Sequence, residues 1–291
     1  MLRFAKGHGT ENDFVLLPDP EGGIEFTPAL VRALCDRRAG VGADGVLRVV
    51  PTARMPAAEP GAAAGWFMDY RNADGSIAEM CGNGIRVYAR YLVDSGLAEP
   101  GVLTLATRDG GKRVHLSATG DVTVEMGSGT VLGTSTAVIG GRTCTGTHVD
   151  MGNPHLVCAI DGDLQSWDLS RPPVIDSAAF PEGVNVEIVA SRGERHVAMR
   201  VHERGVGETR SCGTGACAVA IAVSRLGPQA GTTWTVDVPG GRLTVDLGGE
   251  SVRLTGPAVI VATGELDELS LVKTATAAPP TASIEDTRNV T

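Results

Sequence analysis

The sequence predicts an α+β fold of two pseudo-symmetric halves produced by internal duplication, each a curved, mostly antiparallel sheet with one conspicuous helix packed inside or against it. Three observations carry this reading. The tetrapeptide Cys81-Gly82-Asn83-Gly84 returns as Cys212-Gly213-Thr214-Gly215, 131 residues later, and each copy stands directly before an apolar run of helical period. The strand-like segments that follow recur at offsets of 130 and 129 residues. A chain of 291 residues is long enough for two domains whose cores need neither disulfides nor a metal.

In chain order, Gly9-Thr10-Glu11-Asn12-Asp13-Phe14-Val15 reads as a glycine turn entering an apolar segment, and its counterpart is Gly152-Asn153-Pro154-His155-Leu156-Val157. The run from Asp44 to Val50 matches the run from Val184 to Val189. Asn72 precedes Cys81 by nine residues, as Glu203 precedes Cys212. The first helix carries Ile85, Val87, Tyr88, Tyr91 and Leu92, and the second Ala216, Val219, Ala220 and Val223; glycines at 96 and 227 are the expected terminators. Leu103 to His115 reads as strand, turn and strand around Gly110-Gly111, and Thr233 to Val245 does so around Gly240-Gly241. Alternating strands then occupy Val122 to Met126 and Val252 to Thr255, each ahead of a glycine. These matches place an N-terminal half at 1–125 and a C-terminal half at 126–270. Residues 271–291, rich in Thr, Ala and Pro without apolar periodicity, read as a disordered tail.

Composition narrows the chemistry. A net charge of −9 with no basic cluster argues against nucleic acid. The longest apolar run, Ala216 to Val223, is far short of the ~18 residues of a membrane span. The N-terminal residues lack the pattern of a secretory signal, so a cytoplasmic location with reduced thiols is expected. A small-molecule substrate becomes the expected partner. Lysine occurs only at 6, 112 and 273, which leaves few candidates for a Schiff base, and no Cys-x-x-Cys or paired-His spacing suggests a metal.

The repeated cysteine is the informative residue. A thiol at a helix N-terminus meets unpaired N–H groups and the positive end of the helix dipole, which favour thiolate, and the flanking glycines let the same N–H groups approach a carboxylate. Two such loops facing each other across a cleft would form a two-base racemase without a cofactor. One thiolate removes the proton α to a carboxylate, and the opposing thiol returns one to the other face. Cys35, Cys144, Cys158 and Cys217 lack this setting and read as buried small apolar residues. Asn12, Asn72, Asn153 and Asn185 lie beside glycine turns in corresponding places. With Glu203-Arg204 they could read a second zwitterionic end of the substrate.

Taken together, these motifs resemble the diaminopimelate epimerase family. The resemblance rests on Gly7 to Phe14, Arg71 to Ser76, Glu79 to Gly84, Met151 to His155, Gly183 to Asn185, His202 to Gly205 and Ser211 to Gly215, in that order. It implies a cofactor-independent isomerase that interconverts LL- and meso-2,6-diaminopimelate for lysine and peptidoglycan-precursor synthesis. It implies a homodimer, with each half a barrel-like sheet around a central helix. By position, Cys81 and Cys212 would be the acid/base pair, with Gly82, Asn83, Gly213 and Thr214 holding the reacting carboxylate. Asn12, Asn72, Asn153, Asn185, Glu203 and Arg204 would bind substrate, and His155 and Glu203 would tune the cysteines. One departure stands out: many family members carry a substrate-contacting Gln where this chain has Gly45. The alternatives are a proline or hydroxyproline racemase or dehydratase of similar fold, and a thiol redox switch closing a Cys81–Cys212 disulfide. The Asn set and Glu203-Arg204 favour a substrate with a second charged end over compact proline.

Overall fold

Short alternating strands punctuated by glycine turns give, in the computed structural model, a mixed sheet wound around two buried helices; residues 1–55, 65–226 and 231–267 are described. The first repeat runs β1 (Leu2–Gly9), β2 (Asn12–Pro18), α1 (Pro28–Cys35), β3 (Gly45–Pro51), β4 (Trp66–Asn72), α2 (Gly82–Asp94), β5 (Gly101–Thr107), β6 (Gly110–Leu116), β7 (Val122–Glu125) and β8 (Thr130–Ile139). The second runs β9 (Arg142–Asp150), β10 (Pro154–Ala159), β11 (Val174–Ile175), β12 (Asn185–Gly193), β13 (His196–Glu203), β14 (Gly207–Thr209), α3 (Gly213–Ser224), β15 (Thr233–Val238), β16 (Gly241–Asp246), β17 (Arg253–Gly256) and β18 (Val259–Leu266). The strand-turn-strand pairs expected around Gly110 and Gly240 are thus β5–β6 and β15–β16.

The duplication extends to strand direction. The parallel pairs β2–β3 and β4–β5 correspond to β10–β12 and β13–β15, while the intervening pairs are antiparallel. Parallel strands are normally covered on both faces, and here that holds in each half. Phe14, Leu16, Leu47 and Val49 face the central core, whereas Val15, Leu17 and Val46 pack outward against Leu30, Val31 and Leu34 of α1. Helix α1 starts where Thr27 Oγ1 accepts from Leu30 N at 3.2 Å, with Pro28 in its first turn. In the second half Leu156, Val186 and Ile188 face outward under Trp167, Leu169 and Phe180, and Val157 and Val189 face inward.

The last strand of each repeat crosses to the other half. β18 pairs with β1, from Leu2↔Leu266 to His8↔Val259, and β8 pairs with β9 and β11. β7 and β17 add a direct antiparallel seam, Arg253↔Glu125 to Gly256↔Val122. The two halves therefore share one continuous hydrogen-bonded sheet. Helix α3 is apolar on all sides and buried from Ala216 to Val223, as a helix enclosed by a sheet must be. Helix α2 buries Ile85, Val87, Tyr88, Ala89 and Leu92 in the same core. It ends before Gly96, whose φ of 69° is the left-handed conformation that glycine supplies; Gly227 and the tail 271–291 lie outside the described residues. Cys35, Cys144, Cys158 and Cys217 are buried. No helix among the described residues is long and apolar enough to cross a membrane.

Candidate active site

The two repeated tetrapeptides meet head to head. A Cβ built on Gly213 would lie 3.2 Å from Gly82 Cα and 3.5 Å from Asn83 N, so the absence of side chains at these helix starts permits the approach. Cys81 and Cys212 are the N-caps of α2 and α3, both in extended backbone conformation. Cys81 Sγ accepts from Gly84 N at 3.3 Å, and Cys212 Sγ accepts from Gly215 N at 3.4 Å. Two helix N-termini thus point their first N–H groups into one place, an arrangement suited to a carboxylate.

A buried polar network fastens the junction. Asn83 Nδ2 donates to Asn12 Oδ1 and to the Ser211 carbonyl, both at 3.1 Å. Arg86, fully buried, donates through Nη2 to Asn83 Oδ1 at 3.0 Å and through Nη1 to the Gly82 carbonyl at 3.1 Å. Thr10 Oγ1 lies 2.6 Å from Ser211 Oγ. The Asn83 side chain is therefore occupied in joining the halves. The sequence pattern does not mark Arg86, because within an apolar helical pattern an arginine reads as an exposed position.

Around Cys81, the thiol donates to Asn12 Oδ1 at 3.6 Å, and Asn12 Nδ2 donates to Asp44 Oδ2 at 2.8 Å. Asn72 Nδ2 donates to Ser76 Oγ at 3.0 Å. The space of the missing Gln is filled: a Cβ on Gly45 would lie 2.6 Å from the Arg71 carbonyl oxygen and 2.7 Å from Tyr70 Cε2. Burial raises the Tyr70 phenol well above its ordinary value, and neighbouring negative charge adds to the effect.

Around Cys212, Sγ lies 3.5 Å from Thr214 Oγ1, which accepts from Asn153 Nδ2 at 3.5 Å. Asn153 Oδ1 accepts from His155 Nε2 at 3.0 Å, and His155 Nδ1 lies 2.6 Å from Glu187 Oε1. His155 and Glu187 are both fully buried. Glu203 accepts from Thr209 Oγ1 and hydrogen-bonds with Cys212, and burial raises its carboxyl. Asn185 Oδ1 accepts from Arg204 N at 2.9 Å, and Asn185 Nδ2 donates to the Pro154 carbonyl at 3.2 Å. Arg204 Nη1 donates to the Glu182 carbonyl at 3.3 Å; the side chain lines a cavity of about 480 Å³ with Gly183, His202 and Pro172.

The resting thiols differ from the thiolates expected at helix starts. Burial is the largest influence on both, pushing Cys81 up to about 11 and Cys212 well above the ordinary thiol value. The N–H donors of Gly84 and Gly215 pull downward but do not overcome it, and the Glu203 carboxylate pushes both thiols further up. Glu187 pushes Cys212 in the same direction. Among the described residues no cluster of three His, Cys, Asp or Glu side chains is arranged to hold a metal ion.

The chain is thus a duplicated sheet on two buried helices, with a cysteine capping each helix where they meet, in the α+β fold class of its structural neighbours. Comparison with known proteins gives the family. The diaminopimelate epimerase family model matches the chain twice, over residues 4–132 and 147–266, and the chain belongs to that family. It is 56% identical over 276 residues to the diaminopimelate epimerase of Streptomyces coelicolor, covering 91% of this chain and 96% of that one. Among solved structures, a PhzF-family phenazine biosynthesis protein from Bacillus anthracis superposes with a TM-score of 0.66 at 16% identity, over 91% of this chain and 98% of that one. A probable proline racemase from Agrobacterium radiobacter K84 does so with a TM-score of 0.65 at 14% identity, over 92% and 93%. At such identities these two share the fold.

Proposed function

We propose that this chain interconverts LL- and meso-2,6-diaminopimelate by moving a proton between Cys81 and Cys212 across the substrate α-carbon. The observation that carries the reading is the close approach of two cysteine-capped helix N-termini at Gly82 and Gly213, in a chain that belongs to the diaminopimelate epimerase family. In either direction one thiolate takes the α-proton and the opposite thiol gives its proton to the other face. The pair holds one proton before and after, and its titration belongs to the couple. Converging N–H groups at residues 82, 83, 213 and 214 would hold the α-carboxylate and stabilise charge developing in the transition state.

The raised thiols give the substrate a part in its own activation. An α-ammonium brought beside Cys81, Cys212 and Glu203 offsets the carboxylate charge that adds to burial in keeping the thiols protonated, so one thiol gives up its proton to solvent when substrate is present, leaving one thiolate and one thiol. The distal amino-acid end would be read by Asn72, Asn153, Asn185, Glu203 and Arg204. A cytoplasmic homodimer acting in lysine and peptidoglycan-precursor synthesis completes the proposal.

The test is proton NMR in D₂O with the reduced enzyme and LL-diaminopimelate, following loss of the α-proton signal and appearance of the meso form. Proline and 4-hydroxyproline serve as comparators. Exchange and epimerisation of diaminopimelate alone is the expected result. Exchange of a proline derivative alone would reassign the pocket while retaining the cysteines.

A further inference from the structure

The two cysteines are related by duplication, but the ground beneath them is not. Register places Phe14 beside Gly45 and His155 beside Asn185, and Leu16 beside Leu47 where Val157 stands beside Glu187. His155 and Glu187 thus occupy the positions that Phe14 and Leu47 occupy in the first half. Contacts at the helix starts agree. A Cβ on Gly84 would meet Phe14 and Leu47, each at 3.4 Å, whereas one on Gly215 would meet Glu187 Oε1 at 2.7 Å.

A carboxylate on the inward face of a strand, at 0% exposure, costs several kcal/mol unless it is paired. One oxygen is paired with His155; the other, Oε2, has no hydrogen-bond partner in the structure. A leucine fills the equivalent place in the first half, so the fold does not require the acid. Its one strong bond is to a ring whose far nitrogen begins a series of contacts ending at Cys212: His155 to Asn153 at 3.0 Å, Asn153 to Thr214 at 3.5 Å and Thr214 to Cys212 at 3.5 Å. We propose that Glu187 is a positioning residue that fixes the His155 ring and, through Asn153 and Thr214, the orientation of the Cys212 thiol, a device the Cys81 side lacks.

This proposal rests on the two-cysteine reading for its kinetic consequence, and two of its readouts need no substrate. Glu187→Leu, which copies the first half, should lower kcat about 10- to 100-fold, as loss of a positioning contact does, with KM changed much less. Glu187→Gln keeps an amide that can hydrogen-bond His155 Nδ1 in either direction and should recover most of that loss. Without substrate, a downfield imidazole N–H proton resonance should be present in wild type and absent from Glu187→Leu. Site-resolved iodoacetamide labelling, read by mass spectrometry, should change several-fold at Cys212 and stay constant at Cys81. The double variant Glu187→Leu/His155→Phe guards against misfolding of the single one, since it restores the apolar pair found under Cys81; it should fold and remain slow. Wild-type kcat in a folded Glu187→Leu enzyme would overturn the proposal, as would equal changes in labelling at both cysteines. If labelling and the resonance behave as expected while diaminopimelate is not turned over, the substrate assignment fails and the positioning role stands.

Discussion

Asn83 Nδ2 donates to the Ser211 carbonyl at 3.1 Å, so the start of one central helix is hydrogen-bonded to the residue before the other half's cysteine. The same amide meets Asn12 and the buried guanidinium of Arg86. Replacing Asn83 by Leu would leave these buried partners without their bonds. The expected cost is about 1–3 kcal/mol of stability, because an unsatisfied buried group keeps its full desolvation penalty. Urea unfolding read by circular dichroism measures this, and kcat should fall with it as the cysteine loops lose their mutual register. An Asn83→Leu enzyme with an unchanged midpoint would show that the bridge does not hold the halves.

Gly84 and Gly215 occupy equivalent places at the third helical position, yet Ala should be received differently at each. At 84 a methyl group meets Cys81 Cβ, Leu47 and Phe14, all at 3.4 Å, and gains up to about 1 kcal/mol of helix propensity. At 215 it meets Glu187 Oε1 at 2.7 Å and Cys212 Cβ at 3.2 Å. Gly84→Ala is therefore expected to melt at or near the wild-type temperature, and Gly215→Ala well below it with reduced turnover. Thermal melts of the pair, run side by side, decide the point; equal melting temperatures would contradict it.

Restoring the common family residue at position 45 should fail. The Gly45 Cα faces the Arg71 carbonyl and the Tyr70 ring so closely that even a Cβ lies at 2.6 and 2.7 Å. Gly45→Gln should destabilise the fold in the ~1–3 kcal/mol range of an overpacked core. Gly45→Gln/Tyr70→Ile, which removes the ring, should recover part of that loss. Differential scanning calorimetry of the two variants provides the comparison, and a Gly45→Gln protein as stable as wild type would refute the steric account.

Much of this architecture is written locally. The Cys-Gly-x-Gly repeat exposes the duplication, and its first glycine leaves each helix start closely packed: a Cβ at 213 would lie 3.2 Å from Gly82 Cα and one at 82 would lie 3.0 Å from Met126 Cε. The hairpins around Gly110 and Gly240 are visible through turn chemistry and alternation. The return of β18 to β1 is not, since an alternating strand carries no mark of a partner more than 200 residues away. Glu187 lies in the apolar run Val184 to Val189, and its inward parity with Val189 shows only once the register is known. The thiols illustrate competing effects: the helix start argues for thiolate, and burial, which no local pattern reveals, reverses it.

That reversal has a measurable sign. Cys81 is moved from an ordinary 9.0 to about 11, and the buried Cys217 from 9.0 to about 12, both chiefly by burial. As pH rises past 9.0 the unfolded chain releases these protons first while the folded protein keeps them. The unfolded state then binds fewer protons, so stability is fully present below about 9 and declines through the window up to about 11 and 12. Melting temperature followed from neutral to alkaline pH should fall across that window. In Cys217→Ala the fall should be shallower, because one proton fewer is held by the fold. Labelling of Cys81 without substrate should in parallel rise with the thiolate fraction towards pH 11, later than for a free thiol. Rapid labelling at neutral pH would mean that the helix N–H groups outweigh burial after all, and that the thiolate exists before substrate arrives.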